Sequence, residues 1–222
     1  VKEPTPIEEV AAYKPEKSWN YEVGAHLSTP SHKVQADLAL FYIDCRDQQL
    51  TVFPEGQVTG RLMTNAGRTR SFGGEASLLA TLWRNLDLQV AYGYTRATFV
   101  KFDTGKADYA GNFIPYAPQH TLYAGASYTL RTGWNWLEYV IFRVAANGAG
   151  RIYWNEANTF SQPFYALLEA SIRFEHRHWA VDVWGRNLTD TRYDTFYFMS
   201  IGNSFLQRGR PRTFGVSLSI TL

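Results

Sequence analysis

The stretch TFGVSLSITL, from Thr213 to Leu222, alternates apolar and small polar residues without a break. Successive side chains of a β-strand point to opposite faces of its sheet, so this strand has one apolar face and one face of small polar groups. The apolar positions are Phe214, Val216, Leu218, Ile220 and Leu222. A strand of this kind suits a soluble sandwich or a membrane barrel, and the rest of the chain has to distinguish the two.

Eight segments upstream also read as strands, because they combine alternation with flanking turn residues. We place them near residues 18–29, 33–44, 61–82, 86–95, 119–130, 134–147, 164–174 and 179–188. Residues 1–17 contain three prolines, at positions 4, 6 and 15, and are predicted to form a loop that leads into the first strand. The pair Gly73 and Gly74 predicts a bend or bulge in the third strand. The predicted fold is all-β, an antiparallel meander of about nine long strands.

The connections between these strands alternate in length. Short ones near 30–32, 83–85, 131–134 and 175–178 alternate with long ones near 46–60, 99–118, 148–163 and 189–209. Outer-membrane barrels have this asymmetry, with short periplasmic turns and long outer loops, whereas a soluble sandwich has no physical reason for it. The strands also reach the roughly 9–11 residues that a tilted strand needs to cross a membrane. The connections therefore favour part of a transmembrane barrel.

Tryptophans are placed at the same end of the predicted sheet as the short connections. They are Trp83, Trp134, Trp136 and Trp179. A tryptophan ring has an apolar body and a polar N–H, so it suits the boundary between membrane and water. We interpret these four as a membrane girdle at the periplasmic end. The alternative is that they are ordinary core aromatics close to turns.

The composition argues against several function classes. The formal net charge is +2, whereas a nucleic-acid-binding domain is normally strongly basic. Cys45 is the single cysteine, so it cannot form an internal disulfide. His176 and His178 supply two imidazoles at one turn, too few for a tetrahedral metal site. No nucleophile–base pattern or phosphate-binding glycine loop has the sequence context it needs, so we expect no metal, no cofactor and no enzymatic activity.

Five motifs follow one another along the chain. They are WNYEVG at 19–24, NAGRTRSFGGE at 65–75, IPYAPQH at 114–120, NLTDTRY at 187–193 and GRPR at 209–212. Each motif by itself is weak, but the ordered set resembles the TonB-dependent outer-membrane receptors. The resemblance implies a barrel of 22 strands, plugged by an N-terminal domain, that imports a scarce ligand with energy relayed by TonB. Residues 18–222 then correspond to the C-terminal part of the barrel.

The plug and the segment that contacts TonB have no counterpart in these residues, so we expect that this portion cannot transport a ligand by itself. The resemblance implies the outer membrane of a Gram-negative bacterium, where the barrel contacts lipid. It also implies a ferric siderophore as cargo, with haem, cobalamin and a glycan as alternatives. The sequence does not choose among these cargoes.

Ferric siderophores are often anionic and aromatic, so arginine and aromatic side chains on the long loops would suit them. The candidates are Tyr109, Tyr116, Arg151, Tyr153, Trp154 and Tyr197. The alternative for these residues is an outer girdle or packing of loop on loop. Two other classes also stay open: a soluble β-sandwich that binds carbohydrate, and a passive porin, which would need a complete barrel with an even number of strands.

Overall fold

The computed structural model describes residues 14–52, 62–104, 107–200 and 203–221. The long strands in these ranges are β1 (Lys17–Ser28), β2 (Val34–Val52), β3 (Leu62–Leu82), β4 (Leu86–Lys101), β5 (His120–Trp134), β6 (Leu137–Gly150), β9 (Tyr165–His176), β10 (Trp179–Arg186) and β13 (Thr213–Ile220). Short strands form two hairpins, β7 (Ile152–Tyr153) with β8 (Ser161–Gln162), and β11 (Asp194–Ser200) with β12 (Asn203–Arg208). No helix in the described ranges is long and apolar enough to cross a membrane.

Within the described ranges, the nine long strands form one sheet, in the order β1-β2-β3-β4-β5-β6-β9-β10-β13. Every neighbouring pair is antiparallel. The short hairpins β7–β8 and β11–β12 are insertions between consecutive strands of this sheet. The predicted meander of nine long strands is therefore confirmed.

Several predicted boundaries were wrong. Residues 46–52 of the connection expected near 46–60 are strand, because β2 and β3 stay paired as far as Val52 and Leu62, and residues 53–60 lie outside the described ranges. The polar run at 46–49 suggested a loop, but Arg46, Gln48 and Gln49 pair with residues of β3. The turn expected at 131–134 lies at 135–136 instead, and Gly133 with φ of 75° sits in an irregularity of β5. The long connections near 148–163 and 189–209 contain the two short hairpins.

The predicted bend at Gly73 and Gly74 is absent. Both residues pair in unbroken register with β2 and β4, and the irregularity of the β3–β4 ladder lies between Arg68 and Thr69 instead. Close packing explains the glycine at position 73, because a Cβ there would clash with the Tyr94 carbonyl. At this site the glycine allows two strands to approach each other closely, and it does not produce a bend.

The sheet has one apolar and one polar face. Cross-strand partners share a face, and Val216, Val183, Ile172, Phe142 and Tyr128 form one row across five strands. The next row, on the other face, contains Ser217, Asp182 and Arg173. The apolar face is open: Val216 is 69% exposed and Leu218 65%. In the described ranges no second sheet covers this face, so the sandwich alternative is wrong.

The tryptophans near the short connections are largely exposed. Trp83 is 82% exposed, and Trp134 and Trp136 stack on each other with ring centroids 5.3 Å apart. Trp179 is half-buried beside His176, at 6.1 Å between centroids. Trp83, Trp134 and Trp136 are too exposed to be core aromatics. We call this edge of the sheet the short-turn end, and the opposite edge the loop end.

Candidate ligand-binding loops

Three of the connections that leave the sheet at the loop end lie in the described ranges, apart from residues 105–106 and 201–202. Loop A covers residues 102–119, loop B residues 151–164 and loop C residues 187–212. They emerge at one end because the strands between them are antiparallel, so every second connection returns to the same edge. The meander therefore places side chains that are far apart in sequence within one group of loops.

Loop A and loop B are joined by side-chain amides. The Phe113 backbone N–H donates to Oδ1 of Asn158 at 2.7 Å, and Nδ2 of Asn158 donates to the Phe113 carbonyl at 2.9 Å. Nδ2 of Asn112 donates to the Glu156 carbonyl at 2.9 Å. Asn158 has φ of 56°, a conformation that asparagine tolerates better than most residues. One amide thus pairs with both backbone groups of Phe113, as a neighbouring strand would.

Backbone hydrogen bonds and a ring contact also connect loop A to loop B. The Tyr116 N–H donates to the Tyr153 carbonyl at 2.8 Å, and the Gln119 N–H donates to the Arg151 carbonyl at 3.0 Å. The Tyr153 ring stacks on Phe113 with centroids 5.3 Å apart and an interplanar angle of 16°. Loop A and loop B therefore pack as one unit.

Loop C docks on this unit through Tyr116. The Tyr116 hydroxyl donates to the Tyr197 carbonyl at 3.0 Å, and its ring stacks on Phe196 at 5.5 Å. The same ring lies 5.6 Å from Trp154 of loop B. Tyr197 stacks on Phe160 of loop B at 4.7 Å. We call Tyr116, Tyr153, Trp154, Phe160, Phe196 and Tyr197 the three-loop joint.

Two buried amides hold loop C in place. Oε1 of Gln162, which is 6% exposed, accepts the Asp194 N–H at 2.8 Å and so ties loop C to loop B. Asn187, which is 5% exposed, closes loop C on itself: its Nδ2 donates to the carbonyls of Thr191 and Arg210 at 3.0 and 3.1 Å. Buried amides of this kind are costly unless they are paired, so both bonds fix the loop backbone.

The structure brings four of the six predicted ligand-binding residues together, namely Tyr116, Tyr153, Trp154 and Tyr197. Arg151 lies at the start of loop B with an exposed side chain. Tyr109 lies apart from the joint: its ring packs on Phe102, 5.6 Å between centroids, in a cluster with Phe99, Leu50 and Ile114.

The residues of the three-loop joint differ in how exposed they are, and therefore in the role that each can have. Trp154 is 7% exposed and Tyr197 is 8% exposed, so they pack loop on loop. Tyr116 is 42% exposed and Phe160 is 39% exposed, so each offers a ring face to a ligand. With the Arg151 guanidinium at the surface, the loops present aromatic rings and a positive charge.

Sequence reasoning missed Phe113, Asn158, Phe160, Gln162 and Phe196. Asn187 lies in the motif NLTDTRY, so a signal for its role in closing loop C was present. Asn158 and Gln162 carried no such signal, because their partners are 45 and 32 residues away. An amide in a polar loop does not reveal which distant backbone group it will meet.

Comparison with known proteins gives a family and a set of relatives. A family model described as TonB dependent receptor-like, beta-barrel, matches residues 4–188. The pesticin receptor of Yersinia pestis is 28% identical over 211 residues, which cover 92% of this chain and 29% of the relative. The pesticin receptor of Yersinia enterocolitica is 29% identical over the same length. The chain thus spans 29% of the length of these curated relatives.

Solved structures agree with this assignment. The ferric yersiniabactin uptake receptor of Yersinia pestis is 25% identical, with a TM-score of 0.77 over 92% of this chain and 30% of that one. A ferric citrate transporter in its unliganded form is 22% identical, with a TM-score of 0.71 over 92% of this chain and 32% of that one, and shows the fold alone.

Barrels of this family lie in the outer membrane of Gram-negative bacteria, and their members are receptors and transporters rather than enzymes. The meander, its alternating connection lengths and its exposed apolar face fit such a barrel. The matched segment covers well over half of the chain. The chain belongs to the family of TonB-dependent receptor β-barrels.

Proposed function

We propose that this chain is part of an outer-membrane receptor that binds and imports a ferric siderophore. One observation carries the proposal: loops A, B and C of a TonB-dependent receptor barrel form one packed surface, and Tyr116, Phe160 and Arg151 are exposed on it. An anionic iron chelate would pair with the guanidinium and stack on the rings. The names of relatives, which include receptors for ferric yersiniabactin and ferripyoverdine, favour a siderophore over haem, cobalamin or a glycan.

Within this proposal the predicted ligand-binding residues have different tasks. Tyr116, Tyr153 and Arg151 contact the ligand, because their side chains keep exposed surface. Trp154 and Tyr197 are buried, so they hold the loops in the geometry that the ligand meets. Tyr109 supports the base of loop A through its contact with Phe102 and does not touch the ligand.

The barrel is completed by other strands of the full-length receptor, 22 in all. β1 and β13 end the nine-stranded sheet and each has one edge without a partner among the described residues. Unpaired edges and an open apolar face are hazards for a β-protein in water, so neighbouring strands and lipid must cover them. The chain alone is therefore not competent for transport, and TonB acts on the full-length receptor.

The tryptophans at the short-turn end form the periplasmic girdle of this barrel. Trp83, Trp134 and Trp136 are exposed and lie beside tight turns, where the hydrocarbon of the membrane meets water. Trp179 lies at the same edge of the sheet. These rings contact outer-membrane lipid.

Ligand binding by the full-length receptor tests the proposal. Quenching of tryptophan fluorescence is measured with a ferric phenolate siderophore, ferric citrate, haem and cobalamin. We expect a ferric siderophore to bind best, and the double variant Tyr116→Ala/Arg151→Ala to bind it at least about tenfold more weakly. The control is Arg177→Ala, an exposed arginine at the short-turn end. Preference for haem or cobalamin, or equal binding by the double variant, would contradict the proposal.

A further inference from the structure

Four cations lie side by side at the loop end of β1 to β4: three are on the apolar face, and Lys101 follows an irregularity in the pairing of β3 and β4. Lys17 pairs with Arg46, Arg46 with Arg68, and Arg68 with Lys101. All four residues are exposed. Cross-strand partners have Cβ atoms about 5 Å apart, so like charges stand directly opposite one another along this row. We call these residues the cation row.

Two more cations lie below the cation row: Arg70 in the next row, and Arg96 in the row after that, opposite Phe72. Arg70 lies over the Phe72 ring at 5.9 Å, and Arg96 lies over the Phe113 ring at 5.5 Å. Asp44 is on the same face, and both of its carboxylate oxygens already accept bonds from Arg68, at 2.6 and 2.9 Å. We call Arg70, Arg96 and the cation row the basic patch.

The basic patch carries an excess of positive charge on a face that is otherwise apolar. Its six cations are met, among the described residues of these strand rows, by the single carboxylate of Asp44. Like charges directly opposite each other destabilise a sheet. An anionic partner outside the sheet would relieve this repulsion.

The rows next to the patch show where in a membrane it lies. Tyr21, Tyr42 and Phe72 form a row of aromatic rings across β1, β2 and β3. The following row contains Val23 and Leu40, which are 67% and 64% exposed. Along β1, β2 and β3 the order is cations, then aromatic rings, then aliphatic side chains, which is the order of headgroups, interface and hydrocarbon in a bilayer.

The spacing along β3 agrees with this placement. From Phe72 to Trp83 the strand rises about 36 Å, at about 3.3 Å per residue. A tilt of about 40° reduces this to about 28 Å along the membrane normal, close to the hydrocarbon thickness of about 30 Å. Arg68 lies four residues further along the strand, about 10 Å higher, at the level of the headgroups.

We propose that the basic patch is a docking surface for anionic, phosphate-bearing headgroups of lipids in the outer leaflet. Guanidinium groups bind phosphate oxygens through paired hydrogen bonds, and the lysines add point charges. The aromatic row below would contact the upper part of the acyl chains. This surface is on the lipid-facing wall and is distinct from the loop surface proposed for the siderophore.

The test uses the full-length receptor in zwitterionic detergent, with dansyl-labelled phosphatidic acid as probe and energy transfer from tryptophan as readout. Trp19, which is 65% exposed, lies in the row between the cation row and the aromatic row. The variant Lys17→Gln/Arg46→Gln/Lys101→Gln leaves the ion pair of Arg68 and Asp44 intact. Its matched control, Arg84→Gln/Arg131→Gln/Arg177→Gln, removes three exposed arginines at the short-turn end.

We expect the receptor and the control to bind phosphatidic acid in preference to dansyl phosphatidylcholine, and the patch variant to bind it at least about tenfold more weakly. The single variant Arg46→Gln, which perturbs the fold least, should show a smaller loss in the same direction. Equal affinity in the patch variant and the receptor would overturn the proposal. An equal loss in the control, or full displacement of the probe by inorganic phosphate, would overturn it too.

Ferric siderophore binding by the same patch variant separates this inference from the proposed function. The cation row and the exposed rings of loops A and B share no residue, so siderophore affinity should be unchanged in the patch variant. A receptor that binds phosphatidic acid but no ferric siderophore would refute the proposed cargo and leave the docking surface standing.

Discussion

Single residues decide whether the three loops act as one surface. Tyr116 illustrates this, because its hydroxyl bonds to Tyr197, its ring stacks on Phe196 and its backbone bonds to Tyr153. Its positive φ, 62°, sets the direction of the side chain. The joint thus depends on one side chain that contacts both other loops.

Tyr116→Phe removes the hydroxyl and keeps the ring. We expect the docking of loop C to lose about 1 kcal/mol, because the part-buried Tyr197 carbonyl loses its donor. Hydrogen exchange in the full-length receptor should show amides of loop C exchanging about fivefold faster. The control is Tyr128→Phe, an exposed ring of the apolar face. Unchanged exchange in Tyr116→Phe would show that the hydroxyl does not hold loop C.

Glu156 gives loop B a pH dependence. Burial raises the pKa of its carboxyl above the usual value of 4.5. The folded loop therefore favours the protonated acid, so the stability of the loop increases as the pH falls through the raised pKa. Limited proteolysis of loop B should slow on acidification from pH 7, and Glu156→Gln should abolish that change. Faster cleavage at lower pH in the unmodified receptor, with the protease rate corrected, would contradict this sign.

For single residues, the sequence predicted which face a side chain lies on better than it predicted which residues the side chain contacts. Alternation placed Val216 and Leu218 on the apolar face, because it is a local property of the strand. The bonds of Asn158 with Phe113 join residues that are 45 positions apart, and no local pattern encodes them. Tyr109 was grouped with Tyr116 because both lie in one loop, but packing on Phe102 separates it.

At the scale of elements, alternation and turn residues predicted the strands but did not predict where the strands end. β2 continues to Val52 although Arg46, Asp47 and Gln48 read as a loop, because β3 supplies backbone partners for this polar run. The hairpin of β11 and β12 escaped prediction for the same reason. Pairing across the sheet extends a strand beyond the point where its own residues favour one.

Gly73 and Gly74 give a matched pair of substitutions in β3. A Cβ at Gly73 would clash with the Tyr94 carbonyl, which is backbone and cannot move without separating β3 from β4. A Cβ at Gly74 would meet the flexible end of the Leu40 side chain at 2.8 Å. Gly73→Ala should cost about 1–3 kcal/mol of folding free energy, and Gly74→Ala clearly less.

Thermal unfolding of the full-length receptor in detergent, followed by circular dichroism, measures this difference. A larger fall in Tm for Gly74→Ala than for Gly73→Ala would show that close approach of β4 does not set the requirement for glycine.

At the scale of the whole molecule, the nine strands form one wall with an apolar and a polar side. Phe214, Val216, Leu218 and Ile220 of β13 are 65–69% exposed. Exposure of so large an apolar surface to water is unfavourable. The proposed receptor accounts for this exposure, because lipid covers the apolar outside of an outer-membrane barrel. The sequence could not supply the cargo, because the exposed surface of the loops depends on packing between loops that no local pattern encodes.

Collision accessibility of spin labels at adjacent positions of β13 tests this architecture most directly. Leu218→Cys and Ser217→Cys are each labelled in a Cys45→Ser background of the full-length receptor, reconstituted in lipid. Leu218 lies on the apolar face and Ser217 on the polar face. We predict that the label at 218 collides with oxygen dissolved in the hydrocarbon, and the label at 217 with a water-soluble nickel chelate. Equal accessibility at both positions, or the reverse order, would contradict a lipid-facing apolar wall.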